Sequence, residues 1–496
     1  MQIGIPFWKD HNIEKLIHER DSISQELMRH NSEELRNKLI EASGRVEEEI
    51  STCKQEKWME LCSKLDPRNG TSQYWNLLRV LNNSKNPISE QVHTNVLTSG
   101  NVDARTNKET ANMLAKYYEN ASKLSYTPED RKLLKKCKSI IKINQQTHDS
   151  SIFTLDITLE ELESAIQRLD PRKSPGPDLI YGHMLHHLGQ NAKRMLLQIF
   201  NISWRTGKLP KIWKNSTIIP ILKPGKKASN CKSYRPVSLT SILCKTMEKI
   251  IHTRLMKWII EKKTLQFYQT AYRAKHSTVD QLFYLCQSII DGFQDAPSRK
   301  TTVVFLDLSA AFDRVWRQKL IDIIHKEGIV SNCLIWINDF LRGRKFRVKV
   351  NGSSSKTFRT WAGVPQGLVL SPLLFLLYMN TLDPYISKEA RVACYADDVA
   401  IWHTHTDIQV SQRILNQCMK GIEDWSRELE LTVNPDKTNF CIFTTDRKNR
   451  SKFNISINLF GSVIQRTKHP TYLSLTLDDE LRFTQHLEQI SNRALK

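Results

Sequence analysis

Asp397 and Asp398 are adjacent carboxylates between two apolar runs, Val392-Ala393-Cys394 before them and Val399-Ala400-Ile401 after. Two short apolar runs around one acidic pair predict a β-hairpin with the carboxylates at its tip, where neighbouring side chains are freed from strict alternation. Like charges this close are costly unless a cation lies between them. Asp307 ends a third apolar run, Val303-Val304-Phe305-Leu306, so it too is expected where a buried strand reaches a surface. Carboxylates gathered from separate strand ends can share a pair of Mg²⁺ ions, which favour oxygen ligands and take few of them from protein. Two such ions roughly 3.5–4 Å apart can activate a 3′-hydroxyl and stabilise a departing pyrophosphate. The plainer alternative is a turn at YADD and a capping role for Asp307.

The elements that must position these residues follow a break in pattern near residue 150. Residues 1–150 read as a helical, highly charged extension, with amphipathic spacing of Ile13, Leu16, Ile17, Ile23 and Leu27, broken at Pro67, Gly70 and Pro87. The basic cluster KLLKKCK (132–138) reads as a solvated helix face, and Gln145–Ser151 as a linker. Beyond it, Thr158 and Glu161 form a capping-box signature ahead of a helix. PRKSPGPD (171–178) has three prolines and a glycine and must be a loop. TIIPILK (217–223), VVFLDLS, FRVKVNG, RVACYADDVAIW and NFCIFTT read as strands, and Lys245–Lys257 as part of a helix. The predicted class is α/β in the α+β sense, a mainly antiparallel sheet backed by helices.

The 496 residues hold 73 Lys and Arg against 52 Asp and Glu, so the net charge is 73 − 52 = +21. That surplus favours a polyanionic partner, nucleic acid before membrane, with a generic basic protein as the even alternative. The ten cysteines include no C-x-x-C pair, which argues against a zinc ribbon. No signal-peptide pattern opens the chain, so the thiols read as reduced and the protein as intracellular, nucleus or cytoplasm undecided. Leu370–Leu382, the most apolar stretch, is too short to span a bilayer.

Seven segments in order resemble the motif series of non-LTR (LINE-type) retrotransposon reverse transcriptases, closest to the jockey-like group. KSPGPD (173–178) resembles the opening motif, and WKNSTIIPILKPGK (213–226) with SYRPVSL (233–239) the fingers segment. FLDLSAAFD (305–313), GVPQGLVLSPLLF (363–375), YADD (395–398), LTVNPDKT (431–438) and YLSLTLDD (472–479) resemble motifs A to E. KWMELCSKLDPRNGTSQYWNLLRVL (57–81) is more weakly similar to the stretch between endonuclease and polymerase. The resemblance implies a right-hand polymerase: a fingers and palm domain over 151–480 with a core at about 204–465, and a truncated thumb begun at 481–496.

It implies that Asp307, Asp397 and Asp398 hold Mg²⁺, with Mn²⁺ as the alternative, while RNA template, DNA primer and dNTP are the partners. Phe312 falls at the steric gate against ribonucleotides, with helix-face packing as its other reading. Gln366 would touch the incoming nucleotide, and Gly367 would let the backbone approach closely. Arg235 and Lys223 would clamp the triphosphate, and Lys437 would protonate the leaving pyrophosphate or be a plain surface lysine. The basic segment LRGRKFRVKV (341–350) fits a grip on the template–primer backbone, or an edge strand guarded by charge.

Departures from the pattern are Leu368 for a usual Ser, where a bulky side chain beside the nucleotide pocket either obstructs substrate, which favours a non-catalytic protein, or simply repacks, together with Ala271 and Tyr272 for Gly and Phe in QTAYR (269–273), and Ser474 for Gly. No endonuclease-like region precedes residue 1, and the chain stops after LRFTQHLEQISNRALK, so a truncated or decayed element, or a partial gene product, is expected. The competing expectation is a non-catalytic RNA-binding protein that keeps the polymerase fold.

Overall fold

The computed structural model describes residues 11–30, 32–63, 97–99, 102–146, 152–447 and 453–494. Two compact units divide the chain, Met1–His93 and Thr94–Lys496. Most of the segment 57–81, with Pro67 and Gly70, and also Pro87 and most of the 145–151 linker, lies outside the described residues.

The first unit contains a pair of packed helices, α1 (His11–Arg29) and α2 (Glu33–Ser63). The short connection between them makes an αα-hairpin. Ile13, Ala42, Val46 and Cys53 are its buried apolar side chains. Leu16, Ile17, Ile23 and Leu27 are at most half-buried, as expected where a single seam has to cover the stripe.

Among the described residues of the second unit, two five-stranded sheets are built mainly from β1 (Asn215–Leu222), β2 (Tyr234–Leu239), β3 (Lys300–Asp307), β4 (Lys345–Val350), β5 (Arg391–Tyr395), β6 (Asp398–His405) and β7 (Asn439–Phe443). The helices that bear on them are α3 (Asn107–Ala121), α4 (Pro128–Gln146), α5 (Leu159–Gln167), α6 (Ile242–Lys262), α7 (Thr278–Gln294), α8 (Ser371–Met379) and α9 (Ile408–Glu428). The predicted capping box of α5 is present, with Thr158 accepting from the Glu161 amide and Glu161 reaching back to the Thr158 amide.

The main sheet has the order Gln465–Arg466, β7, β3, β6, β5, and every pairing but the first is antiparallel. Strand β3 is central and buried on both faces, which is why its sequence is a continuous apolar run. Alternate residues feed two cores. Val304, Leu306, Val399, Ile401, Phe440 and Ile442 pack with Leu415, Met419 and Ile422 of α9. Val303, Phe305, Ala400, Trp402, Cys441 and Phe443 pack with Leu285 and Ile289 of α7. Helices on both faces thus fix β3 and β6 and, with them, whatever stands at their ends.

The second sheet runs β2, β1, β4, Ser353–Ser354, with Phe358–Arg359 also paired to β4. The segment LRGRKFRVKV is therefore not an edge strand: β4 lies parallel to β1 on one side and antiparallel to two short strands on the other. Its charge does not guard an edge, contrary to one of the two expectations for it. Helix α3 packs on β4, and Asn112, Glu119 and Ser122 accept from the backbone amides of Lys356, Arg359 and Trp361 at 2.9, 3.2 and 3.2 Å. The basic cluster of α4 is not simply solvated either. Lys136 pairs with the buried Asp322 at 2.8 Å, and the Cys137 thiol donates to the Gln318 carbonyl. The described cysteines are reduced thiols, all but Cys286 buried. No described helix is long and apolar enough to cross a membrane.

YLSLTLDD folds as a small hairpin, Thr471–Tyr472 against Leu475–Thr476, whose two loop residues have positive φ: Leu473 at 47° and Ser474 at 69°. A left-handed conformation costs a non-glycine L-residue roughly 1–2 kcal/mol. Ser474→Gly is therefore expected to stabilise the protein by about 1 kcal/mol, read as a higher urea midpoint at unchanged slope. An unaltered or lower midpoint would show that the loop carries no such strain. Ala271, by contrast, is fully buried with ordinary φ, and the left-handed residue of that segment is Tyr272 at 56°.

Candidate active site

The register of the main sheet sets Asp307 directly opposite Asp398, on adjacent antiparallel strands. Strands β5 and β6 pair Tyr395 with Asp398, so the hairpin loop is Ala396-Asp397 and the expected hairpin at YADD is present. Ala396 takes φ of 58°, the positive angle that the first loop residue of a II′-type hairpin turn requires. A side chain in that region is strained, and such strain is tolerated where surrounding structure holds it. The tight turn brings Asp397 beside the Asp307–Asp398 pair.

The carboxyls of Asp397 and Asp398 are both raised. Desolvation, then Asp397 and Asp307, push the Asp398 carboxyl up to about 6. Asp397 is also raised, by burial and then by Asp307, although its own backbone amide and Arg235 pull it back. Asp307 has one carboxylate oxygen, Oδ2, that is buried and makes no hydrogen bond. A cluster of hard oxygen donors that repel each other, one of them unsatisfied, fits Mg²⁺. Among the described residues, no group of three or more His, Cys, Asp or Glu is arranged to enclose an ion unaided.

The segment LTVNPDKT braces Asp307 from the backbone. The Asn434 amide donates to the Asp307 carbonyl at 2.9 Å, and the Asp307 amide donates to Thr438 Oγ1 at 3.2 Å. The same turn delivers Lys437, well exposed, to 3.8 Å from Asp307 Oδ2. Lys223 stands on the far side, after β1, where its Nζ donates to the Lys232 carbonyl. Desolvation lowers the Lys223 ammonium, and Arg235, Lys437 and Lys226 lower it further, so these cations converge on one space. Arg235 is exposed on β2, which pairs with β1, and acts on Asp397. Lys437 thus stands beside Asp307 and Arg235 acts on Asp397, while Lys223 interacts with both of these cations and with Asp313 rather than with the three carboxylates.

The segment GVPQGLVL closes the space from the side. The Ser238 amide donates to the Gln366 carbonyl at 3.1 Å, fastening the loop to β2. Gly367 has φ of +99°, and a Cβ there would lie 3.1 Å from the Ser238 carbonyl oxygen. Gly363 is tighter still: φ is +83°, and a Cβ would sit 2.6 Å from the Asp313 carbonyl oxygen. The backbone between them bonds to the segment after β3, the Val364 amide donating to the Phe312 carbonyl at 2.8 Å. The Phe312 ring stacks on Phe375 of α8, centroids 4.0 Å apart, and meets Tyr272 edge-on at 6.5 Å. Leu368 turns away from the space and is buried in the core. Burying a leucine contributes about 1.5–3 kcal/mol, so its side chain is a core anchor rather than an obstruction.

Glu248 is the residue that motif reading missed. It is fully buried on α6, and its Oε2 accepts from the amides of Val369 and Leu370 at 2.8 and 3.1 Å. Burial pushes its carboxyl up, opposed by those amides and by Arg344. Its signal was in the helix periodicity: Cys244, Glu248, Ile251 and Leu255 share one face, and a lone acid on an apolar face needs a partner. Tyr272, half-exposed beside Asp397 and Asp398, stands out in the sequence only as a departure from the motif.

Comparison with known proteins bears on this arrangement. Residues 221–477 match the family described as Reverse transcriptase (RNA-dependent DNA polymerase), a span that contains every candidate site residue. The chain is 35% identical over 346 residues to a probable RNA-directed DNA polymerase from transposon BS of Drosophila melanogaster, covering 68% of this chain and 37% of that one. It is 29% identical over 396 residues to the RNA-directed DNA polymerase from mobile element jockey of Drosophila funebris, covering 78% and 42%. The jockey counterpart in Drosophila melanogaster is 29% identical, covering 74% and 39%. The chain thus spans about two fifths of the length of these relatives.

Proposed function

Because this chain belongs to the reverse transcriptase family, we propose that it is the polymerase part of a non-LTR retrotransposon protein of the jockey-like group, extending a DNA primer on an RNA template. The observation that carries the reading is the register of Asp307 against Asp398, with Asp397 in the adjoining turn, Lys437 beside Asp307 and Arg235 acting on Asp397. In this reading the main sheet is the palm, the β1–β2–β4 sheet is the fingers, and the YLSLTLDD hairpin is the primer grip.

Asp307, Asp397 and Asp398 would hold Mg²⁺, or Mn²⁺ by the same ligand chemistry. When bound, a pair of such ions supplies activation of the primer 3′-hydroxyl and charge neutralisation at the departing pyrophosphate. The chain's own residues do the rest. Arg235 offers a bidentate fork to phosphate oxygens, and Lys223, depressed by burial and by its cationic neighbours, gains a counter-charge when a triphosphate arrives. Lys437 leaves Asp307 to donate a proton to the pyrophosphate oxygen. Gln366, fixed by its backbone to β2, orients the nascent base pair. The competing view, a decayed protein that only binds RNA, loses one support because Leu368 lies in the core.

The test is templated selection. On RNA templates differing only in the first unpaired base, each should admit its complementary dNTP and reject the other three. Addition that ignores the template base would point to a different nucleotidyl transfer.

Strand β4 exposes Lys345, Arg347 and Lys349 alternately with buried Phe346, Val348 and Val350. Cations on one face of an internal strand suit a sequence-independent grip on phosphates. Replacing the three by Ala should weaken template–primer binding and flatten its dependence of log K on log salt by roughly 0.7–0.9 for each phosphate no longer neutralised. Unchanged slopes in a salt titration by fluorescence anisotropy would remove β4 from the binding surface.

A further inference from the structure

We infer that Glu248 is a positioning residue for the incoming nucleotide: it clamps the turn that carries Gln366 from beneath. This rests on the polymerase reading above and extends it to a residue outside the motifs.

The turn Pro365-Gln366-Gly367 is fixed at two ends. On the β2 side, the Ser238 amide holds the Gln366 carbonyl, and Gly367 lies in close approach to Ser238. Beyond Gly367 the chain enters α8, whose first amides have no partner inside the helix. Glu248 Oε2 accepts from the amides of Val369 and Leu370, the two residues immediately ahead of α8, and so holds the entry to that helix from another helix. A carboxylate in that place also meets the positive end of the α8 dipole. Between the two fixed points Leu368 is buried in the core that includes Cys244, Met247 and Ile251 of α6. Gln366 is therefore carried on a loop that can shift only if β2 or α6 shifts.

Glu248 is fully buried, so it touches neither substrate nor solvent and acts through the loop alone. Arg344, itself buried nearby, donates to the Phe340 and Trp213 carbonyls and partly offsets the carboxylate charge from a distance. Removing the acceptor would leave two amides in a site that water cannot reach, and the loop would relax to satisfy them.

The test compares Glu248→Gln, which keeps an acceptor oxygen, with Glu248→Asp, which withdraws it by one methylene, and Glu248→Leu, which removes it. In single-nucleotide incorporation, Glu248→Asp and Glu248→Leu should raise KM for dNTP about tenfold with kcat within about threefold, while Glu248→Gln stays near wild type. Template–primer affinity should be unchanged in all three. Hydrogen exchange of the free protein should accelerate at the Val369 and Leu370 amides in Glu248→Asp and Glu248→Leu but not in Glu248→Gln. Should Glu248→Leu fail to fold, Glu248→Asp carries the same comparison. Unchanged exchange at these amides in folded Glu248→Asp or Glu248→Leu protein would overturn the inference, as would unchanged KM. Wild-type protein that extends no primer would defeat the polymerase reading instead, and the exchange result would still decide the role of Glu248.

Discussion

Asp307→Ala is expected to lower primer extension at least about a thousandfold, since it removes a charge the transition state depends on rather than a uniform binding contact. Binding of template–primer should change little, because the exposed cations of β4 lie in a different sheet from β3. Stability should hold or improve. Oδ2 of Asp307 makes no hydrogen bond, and the exposed Lys437, 3.8 Å away, is a weak partner for it, so little stabilisation is lost with the carboxylate. Its charge also raises the carboxyls of Asp397 and Asp398. Loss of activity with a preserved or raised melting temperature is the signature of a site kept at some expense of the fold. Full activity in the variant would remove Asp307 from the chemistry, and a large drop in melting temperature would return it to the capping role.

Phe312→Val should relax discrimination between sugars, raising ribonucleotide incorporation relative to deoxyribonucleotide on the order of a hundredfold, the range that one apolar pocket wall commands. The ring cannot swing aside easily. It stacks on Phe375 at 4.0 Å, meets Tyr272 edge-on, and its carbonyl is tied to the Val364 amide. Such aromatic pairs contribute about 0.5–1.5 kcal/mol beyond area, so the variant will also be somewhat less stable. Phe312→Tyr keeps the ring and should keep the selectivity. The ratio of kcat/KM for the two nucleotides separates the readings. An unchanged ratio in Phe312→Val would leave the ring as packing between the segment after β3 and α8.

Local rules made much of this legible. The run Val303–Leu306 marked a strand buried on both faces, and the acidic pair between apolar runs marked a hairpin tip. Thr158 and Glu161 marked a helix start. These are signals within ten residues, where propensity and period act directly. Long-range arrangement was not legible in the same way. The parallel pairing of β4 with β1 joins residues more than a hundred positions apart, and the charge on β4 alone could not separate an edge from an interior strand. Nor did Lys136 announce its buried partner Asp322. At the site, the types and order of residues pointed to the carboxylates, but the register opposing Asp307 and Asp398 is a property of the sheet. Leu368 is the instructive case: a bulky residue in a motif suggests an obstruction until its direction is known, because side-chain direction depends on the turn at Gly367.

Extension of a DNA primer on an RNA template, with Mg²⁺ and the four dNTPs, tests the central claim most directly. The wild-type chain should be run beside the double variant Asp397→Ala/Asp398→Ala, with both proteins shown to fold and to bind the template–primer. Products that lengthen along the template with wild type and disappear with the variant are the predicted result. Equal extension by both would contradict the account, and no extension by folded, RNA-binding wild type would favour a protein that retains the fold without the chemistry.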